Sequence, residues 1–167
     1  VVFSDFECPG CAKFAEFFEK NVPPLFENRV RLAFRHFPLD QACNSRSTKT
    51  LHAHACSASF LAEGARVLGG NEAFWKAHNF LFQHRDDIVA GVMTADRLAI
   101  GIELDPVALQ AAAEPAGLTA RIAQDVGQGA TCGIAGTPSV FIEGKRIEFA
   151  VAASIDFWDK MADWFWL

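Results

Sequence analysis

The first part of the chain changes from a strand-like to a helix-like pattern of apolar positions and back. Residues 1–4 are a short apolar run typical of a buried strand. From Pro9 onward the apolar residues return at the spacing of a helix face, as Phe14, Phe17 and Phe18. Two prolines, Pro23 and Pro24, should end that helix, since proline lacks the backbone N–H, and residues 30–37 then alternate as a second strand. The pattern predicts a β-α-β unit.

The middle of the chain, from about Thr48 to Thr131, has helical periods. Helix-capping residues stand before its helix-forming runs, at Asn71, Thr94 and Asp105. Pro106 follows the last of these at a position suited to the first turn. Glycines recur throughout the block, so we expect several short helices rather than one long one. We place this all-helical insertion at about residues 45–131.

The last part of the chain predicts a β-hairpin and a helix. Residues 139–142 and 146–149 read as strands joined by a turn at 143–145. Ser154 can cap a final helix whose expected buried face consists of Ile155, Trp158, Met161, Ala162 and Phe165. The predicted order is β-α-β, helical insert, β-β-α, in a single domain spanning residues 1–167.

Composition and charge narrow the range of partners. Of the 167 residues, 51% are apolar, so the chain can bury a real core without a disulfide scaffold. The net charge is −5 and the basic residues are scattered, which argues against binding to nucleic acid. No apolar run approaches the ~20 residues that a membrane-spanning helix needs.

The pair Cys8 and Cys11 carries the clearest chemical signal. The two cysteines flank Pro9 and Gly10 at the predicted start of the first helix. Unsatisfied backbone N–H groups and the positive end of the helix dipole stabilise a thiolate there. We therefore expect Cys8 to be an exposed nucleophile and Cys11, one turn deeper, to be the thiol that resolves a mixed disulfide.

Two structural interpretations compete with this one. A zinc site would need a second pair of ligands at suitable spacing, and neither HxxxH nor a second CxxC occurs, although His52 and His54 keep this alternative open. A structural disulfide between Cys8 and Cys11 would close almost no loop and so would stabilise little. We expect no metal.

The motifs together resemble DsbA-like proteins of the thioredoxin superfamily. Residues 3–11 resemble the active-site segment of that family, and residues 133–138 resemble its cis-proline loop. Between them, residues 34–39 resemble a strand typical of the family. The resemblance implies an α/β thioredoxin-like fold with an inserted all-helical subdomain. It also implies a protein thiol-disulfide oxidoreductase in which Thr137 and a cis Pro138 bind an extended substrate beside the CxxC, at an edge formed by residues 139–142.

Two residues depart from the best-known oxidases of that family. Those oxidases have Pro-His between the cysteines, and the histidine helps stabilise the thiolate, whereas this chain has Gly10 there. Glu7 adds a negative charge that should raise the pKa of Cys8 if it points inward. We therefore expect a weaker oxidant than DsbA.

The remaining cysteines and histidines suggest structural roles. Cys43 and Cys56 flank the start of the insert, and a disulfide between them would indicate an oxidising compartment. Two reduced, buried cysteines or a second redox-active pair are the alternatives. Cys132 is expected to be a small core residue. His36 ends the second strand and could approach the active site, although a structural role is the simpler reading.

The leading functional hypothesis is a dithiol oxidase that donates its disulfide to client proteins containing cysteines. The resemblance implies a periplasmic or cell-envelope location, with any export signal or anchor outside this chain, and reoxidation by a membrane quinone enzyme similar to DsbB or vitamin K epoxide reductase. A disulfide reductase or isomerase of the same fold is the first alternative, and a non-catalytic binding module is the second. The chemistry needs no cofactor, and we expect a monomer.

Overall fold

The structure, a computed structural model, describes residues 1–27 and 29–166. Its strands and helices follow one another in the predicted order, with one short additional helix near the end. The strands are β1 (Val2–Ser4), β2 (Phe34–His36), β3 (Ser139–Ile142) and β4 (Lys145–Ile147). The helices are α1 (Pro9–Leu25), α2 (Ala55–Gln83), α3 (Arg85–Val89), α4 (Ala95–Ile102), α5 (Pro106–Ala112), α6 (Pro115–Thr131), α7 (Phe149–Ala152) and α8 (Ile155–Trp166).

The four strands form one mixed sheet in the order β2-β1-β3-β4. β1 pairs parallel with β2, which it reaches through α1, and antiparallel with β3. The hairpin between β3 and β4 turns at Glu143 and Gly144, whose φ angles of 47° and 76° suit a two-residue turn that matches the twist of the strands. β3 lies inside the sheet, so the expectation that residues 139–142 form an edge is wrong.

The ends of α1 and β2 differ from the sequence prediction. α1 includes Pro23 and Pro24 and ends at Leu25, one residue after the second proline, where its last bonds tighten to three-residue spacing. Phe26 N–H donates to Pro23 O at 3.2 Å. β2 covers only Phe34–His36, fewer residues than the alternating pattern suggested.

Five helices, α2 to α6, make up the helical block. It starts at Ala55, later than the pattern predicted, because the preceding residues form turns. Gly69 and Gly70 have non-helical backbone angles and divide α2 into two shorter helical halves. This agrees with the expectation of several short helices rather than one long one. The predicted caps of α4 and α5 are confirmed, since Thr94 and Asp105 each accept a backbone N–H of the first turn.

Buried polar groups join this block to the sheet. His36 on β2 lies with its Nε2 2.9 Å from Glu63 Oε1 on α2, and both side chains are almost fully buried. Glu63 also accepts from Arg66 at 3.0 Å. Asp125 on α6 accepts the backbone N–H of His36 and a bond from Arg35. These bonds fix the position of the helices relative to the strand beside the active-site segment.

The C-terminal helix packs its predicted face only in part. Trp158 and Ala162 are buried, but Ile155 and Phe165 are 40% and 50% exposed. Phe149, which was predicted to end a strand, begins α7 instead. Trp158 donates its indole N–H to Ala152 O at 2.8 Å, which ties α8 to α7.

Candidate active site

Cys8 and Cys11 lie at the N-terminus of α1, where the sequence places them. Cys8 is the N-cap residue with extended angles, and Pro9 is the first helical residue. The backbone N–H groups of Cys11 and Ala12 donate to Cys8 O at 3.1 and 3.2 Å. Both cysteines are free thiols, so the structure corresponds to the reduced form of the pair.

The exposure of the two sulfur-bearing side chains differs from the expectation. Cys8 is only 6% exposed and therefore buried, so the prediction of an exposed nucleophile is wrong. The physical reason is that the loop containing Thr137 and Pro138 covers it. Cys11 is 1% exposed. Cys8 is thus still the more accessible of the two.

The two thiols have opposite pKa shifts. The pKa of Cys8 is lowered to about 6, chiefly because the Cys11 thiol donates a hydrogen bond to its sulfur. Burial opposes this shift, whereas Thr137 and the backbone N–H groups of Cys11 and Gly10 lower the pKa further. Burial and the neighbouring Cys8 raise the pKa of Cys11. Cys8 is consequently the thiolate near neutral pH, and Cys11 holds its proton.

The loop before β3 faces this pair. The Thr137–Pro138 peptide bond is cis. When Cys8 is protonated, its S–H donates to Thr137 O at 3.3 Å. The buried Thr137 hydroxyl has no hydrogen-bond partner in the described part of the chain, and it lowers the pKa of Cys8 because a thiolate can accept from it.

Gly10 allows the loop to approach closely. A β-carbon at this position would lie 3.1 Å from Cδ of Pro138 and 3.7 Å from the sulfur of Cys8. The first distance is shorter than a normal van der Waals contact. Gly10, which stands where the best-known oxidases have histidine, therefore leaves room for Pro138 to pack against the active-site turn.

Two buried carboxylates hold the segment that precedes Cys8. Asp5 accepts the N–H of Glu7 and of Leu39, each at 2.7 Å, and its Oδ2 lies 2.8 Å from Nδ1 of His52. Glu7 accepts the backbone N–H of His54 at 2.6 Å. The pKa of Cys8 is lowered overall although the Glu7 carboxylate lies in the same segment, because the Cys11 thiol, Thr137 and the backbone N–H groups favour the thiolate.

A disulfide closes the loop that supplies His52 and His54. Cys43 is bonded to Cys56 across 13 positions, with an S–S distance of 2.07 Å and a Cα–Cα distance of 5.8 Å. The two cysteines are therefore neither free thiols nor available as zinc ligands. The disulfide closes the 44–55 segment, and His52 and His54 of this segment bond to Asp5 and Glu7 just before Cys8.

Other residues singled out from the sequence lie elsewhere. Cys132 is an exposed free thiol at the C-terminal end of α6, so its prediction as a core residue is wrong, because the helix ends there at the surface. His36 is bound to Glu63 within the buried network described above.

Two polar contacts around the turn were not predicted from the sequence. One joins the Asp5 carboxylate to His52, and in the other Arg85 Nε donates to Glu7 O at 2.6 Å. The available signal was the spacing of two acidic residues before Cys8 and two histidines after Cys43. Pairing them requires the fold, since 47 positions separate Asp5 from His52.

Residues 1–27 and 29–166 contain neither a metal-binding cluster nor a membrane-spanning helix. No group of three or more histidine, cysteine or acidic side chains within these ranges lies close enough to hold a metal ion. Within the same ranges, no helix is long and apolar enough to cross a membrane.

Comparison with known proteins supports the fold. A family model described as thioredoxin matches residues 1–160. Among solved structures, oxidised BdbD from Bacillus subtilis superimposes with a TM-score of 0.71 at 17% identity, over 97% of this chain and 83% of that one. DsbA2 from Pseudomonas aeruginosa gives a TM-score of 0.72 at 24% identity, over 98% and 86% of the two chains. These similarities confirm the thioredoxin-like fold with a large helical insert.

The curated relatives are much longer proteins. Na(+)/H(+) antiporter NhaA 3 from Salinispora tropica is 31% identical over 148 residues, which are 87% of this chain and 20% of the antiporter. Na(+)/H(+) antiporter NhaA 1 from Mycolicibacterium gilvum is 27% identical over 146 residues, or 87% and 22% of the two chains. The chain thus spans about a fifth of the length of these relatives.

Proposed function

The chain belongs to the thioredoxin family, and we propose that it is a protein thiol-disulfide oxidoreductase whose reactive pair is Cys8 and Cys11. One observation carries the proposal: two free thiols lie together at the N-terminus of α1, with Cys8 against the cis Thr137–Pro138 loop, and this setting lowers the pKa of Cys8 to about 6 while it raises that of Cys11. Disulfide exchange needs this asymmetry, since one sulfur must attack or leave as a thiolate while the other stays protonated until its turn.

As a dithiol oxidase, the protein would work in two exchange steps. A client thiolate attacks the sulfur of Cys8, the Cys8–Cys11 bond breaks, and Cys11 leaves and takes up a proton. A second client thiolate then attacks the client sulfur of the mixed disulfide and releases Cys8 as a thiolate. Two client thiols are oxidised to one disulfide, and the disulfide of the protein is reduced to two thiols.

The low pKa of Cys8 favours the oxidising direction. A stabilised thiolate lowers the free energy of the reduced form, which makes the disulfide form a stronger oxidant. A pKa of about 6 lies between the values of about 7 for thioredoxin and about 3.5 for DsbA. We therefore expect a weaker oxidant than DsbA. Reductase or isomerase activity of the same site is the alternative direction.

The loop at Thr137 and Pro138 is the proposed binding site for the client backbone. It lies directly against Cys8, as the 3.3 Å bond to Thr137 O indicates, and both loop residues are only half-buried. Because β3 is inside the sheet, the backbone that a client can reach is this loop rather than a strand edge. Pro9 and Gly10 complete the surface around the sulfur.

We assign the activity to an oxidising compartment outside the cytoplasm. The Cys43–Cys56 disulfide supports this assignment, because such bonds persist where thiols are not kept reduced. The clients would be proteins with cysteine pairs. The protein itself would act on them as a monomer and without a cofactor. Continued turnover needs a reoxidant, for which a membrane quinone enzyme similar to DsbB or vitamin K epoxide reductase is the proposed class.

Oxidation of a reduced dithiol peptide by the disulfide form of the protein tests the proposal. We expect a stoichiometric loss of peptide thiols with wild-type protein and none with Cys8→Ser. The same pair of proteins in an insulin-reduction assay measures the opposite direction. A non-catalytic binding module predicts equal, negligible rates for both proteins in both assays, and that result would overturn the proposal.

A further inference from the structure

His52 approaches the active-site turn from the disulfide-closed loop. Its Nδ1 lies 2.8 Å from Oδ2 of Asp5, three residues before Cys8. The backbone of the same residue, Asp5, accepts the N–H of Cys8 at 3.1 Å. A single residue therefore bonds both to His52 and to the nucleophilic cysteine.

Asp5 is held rigidly enough to orient the imidazole. Its side chain is fully buried, and backbone N–H groups of Glu7 and Leu39 occupy its two oxygens in addition to His52. The backbone N–H groups of Leu51 and His52 bond in turn to Leu39 O at 2.8 and 3.2 Å. His52 is thus tied to the turn through both its ring and its backbone, while its side chain remains 22% exposed to solvent.

We propose that His52 is a positioning residue for the redox chemistry of Cys8: Asp5, which accepts the backbone N–H of Cys8, also holds the His52 imidazolium at the active-site turn, where its charge favours the thiolate of the reduced pair. This inference rests on the proposed function and deepens it. It gives a physical role to a histidine that comes from outside the CxxC. Gly10 leaves the dipeptide itself without such a cation.

The charges around His52 support the proposal. Its hydrogen bond to Asp5 raises its pKa first of all, burial opposes this, and the negative charges of Asp5, Cys8 and Glu7 raise it further. Because the interaction between a thiolate and an imidazolium is mutual, His52 should in turn favour the Cys8 thiolate, in addition to the larger contributions of the Cys11 thiol and Thr137.

Two other charged groups near this loop, Asp40 and Arg85, have partners of their own. Asp40 accepts from Ala42 N–H and from the Thr50 hydroxyl, and Arg85 bonds to the Glu7 carbonyl. Neither of them bonds to the imidazole in the described contacts. Substitution of His52 therefore leaves the bonds of both groups in place.

Titration of the reduced protein by the ultraviolet absorbance of its thiolate measures this effect without turnover. His52→Gln keeps a hydrogen-bond donor for Asp5 but removes the charge, and we expect the pKa of Cys8 to rise by about one unit. At pH 7, a rise from about 6 by one unit weakens the oxidising equilibrium with glutathione about fivefold. His52→Lys restores a cation and should keep the pKa low.

His54→Gln is the matched control. It removes an imidazole two residues away but retains the backbone N–H that bonds to Glu7, so the pKa of Cys8 should not change. An unchanged pKa of Cys8 in folded His52→Gln, or an equal rise in both variants, would overturn the proposal.

A reciprocal measurement needs no substitution of His52. The imidazole of His52 is titrated by NMR in reduced wild-type protein and in Cys8→Ser. We expect its pKa to fall when the thiolate is removed, and an unchanged pKa would contradict the pairing. Both titrations are independent of client exchange, so a protein that shows the coupling but oxidises no peptide would refute the proposed function alone.

Discussion

The sulfur of Cys8 lies 3.3 Å from the carbonyl oxygen of Thr137, although 129 positions separate the two residues. Cys8 caps the first long helix, and Thr137 precedes the hairpin near the other end of the chain. The contact forms because β1 and β3 are neighbours in the sheet, which brings the start of α1 and the loop before β3 to one side. The proposed reactive centre therefore depends on residues from both ends of the chain.

The pKa of Cys8 predicts an unusual pH dependence of alkylation. In the reduced protein, the rate at which iodoacetamide modifies Cys8 should be half-maximal near pH 6 and constant above about pH 7.5, because the thiolate is the nucleophile. An ordinary cysteine in a peptide is half-ionised near pH 8.5 and serves as the reference. A half-maximal rate near pH 8.5 for Cys8, mapped by mass spectrometry, would contradict the electrostatic account of the site.

The same shift predicts how stability changes with pH. The pKa of Cys8 is lower in the folded reduced protein than the ~8.5 of an unfolded cysteine, so its stabilising contribution is fully present above about pH 8.5 and is lost as the pH falls through about 6. Urea unfolding of reduced wild-type protein and reduced Cys8→Ser should show a difference in stability that grows from pH 6 to pH 8.5. A difference independent of pH would exclude the shift.

Glu63 should be essential for stability. It accepts bonds from His36 and Arg66 while almost fully buried, so Glu63→Ala leaves a buried histidine and an arginine without their partner. We expect a loss of about 3 to 5 kcal/mol in the free energy of unfolding, measured with urea. Glu72→Ala is the control, because it breaks an exposed pair with Lys76 and should cost less than ~1 kcal/mol. Similar losses for the two variants would be inconsistent with the buried network.

The disulfide between Cys43 and Cys56 should stabilise the fold independently of the active-site pair. The double substitution of both by alanine should lower the free energy of unfolding by about 3 kcal/mol, from the loop of 13 positions. Cys132→Ala, at an exposed position, should change it by less than ~0.5 kcal/mol. Mass mapping of the non-reduced wild-type protein that found Cys43 and Cys56 as free thiols would refute the bond.

Local sequence patterns predicted the elements that depend on local physics. The strands and the caps at Thr94 and Asp105 follow from hydrophobic period and hydrogen-bonding capacity, and the active-site turn follows from Cys8 and Cys11 at a helix start. The order of the elements therefore agreed with the structure. Boundaries were less accurate, as at Leu25 and Phe149, because one hydrogen bond more or fewer decides where an element ends.

Tertiary contacts explain what the sequence could not supply. The burial of Cys8 results from a loop more than a hundred positions away, and the surface position of Cys132 from where α6 ends. The contact between Asp5 and His52 depends on how the disulfide-closed loop crosses the turn. No periodicity in the chain encodes these relationships, so the electrostatic surroundings of the reactive sulfur required the structure.

The most direct measurement of the central claim is capture of a mixed disulfide by Cys11→Ser. In this variant the Cys8 thiolate attacks a disulfide-bonded peptide, one peptide thiolate leaves, and no thiol remains at position 11 to resolve the new bond. Digestion and mass spectrometry then locate the adduct, with Cys132→Ala combined in the variant so that the exposed thiol cannot compete. The account predicts a stable peptide adduct on Cys8 and none when Cys8→Ser replaces Cys11→Ser. An absence of any adduct on Cys8 in the Cys11→Ser variant would contradict it.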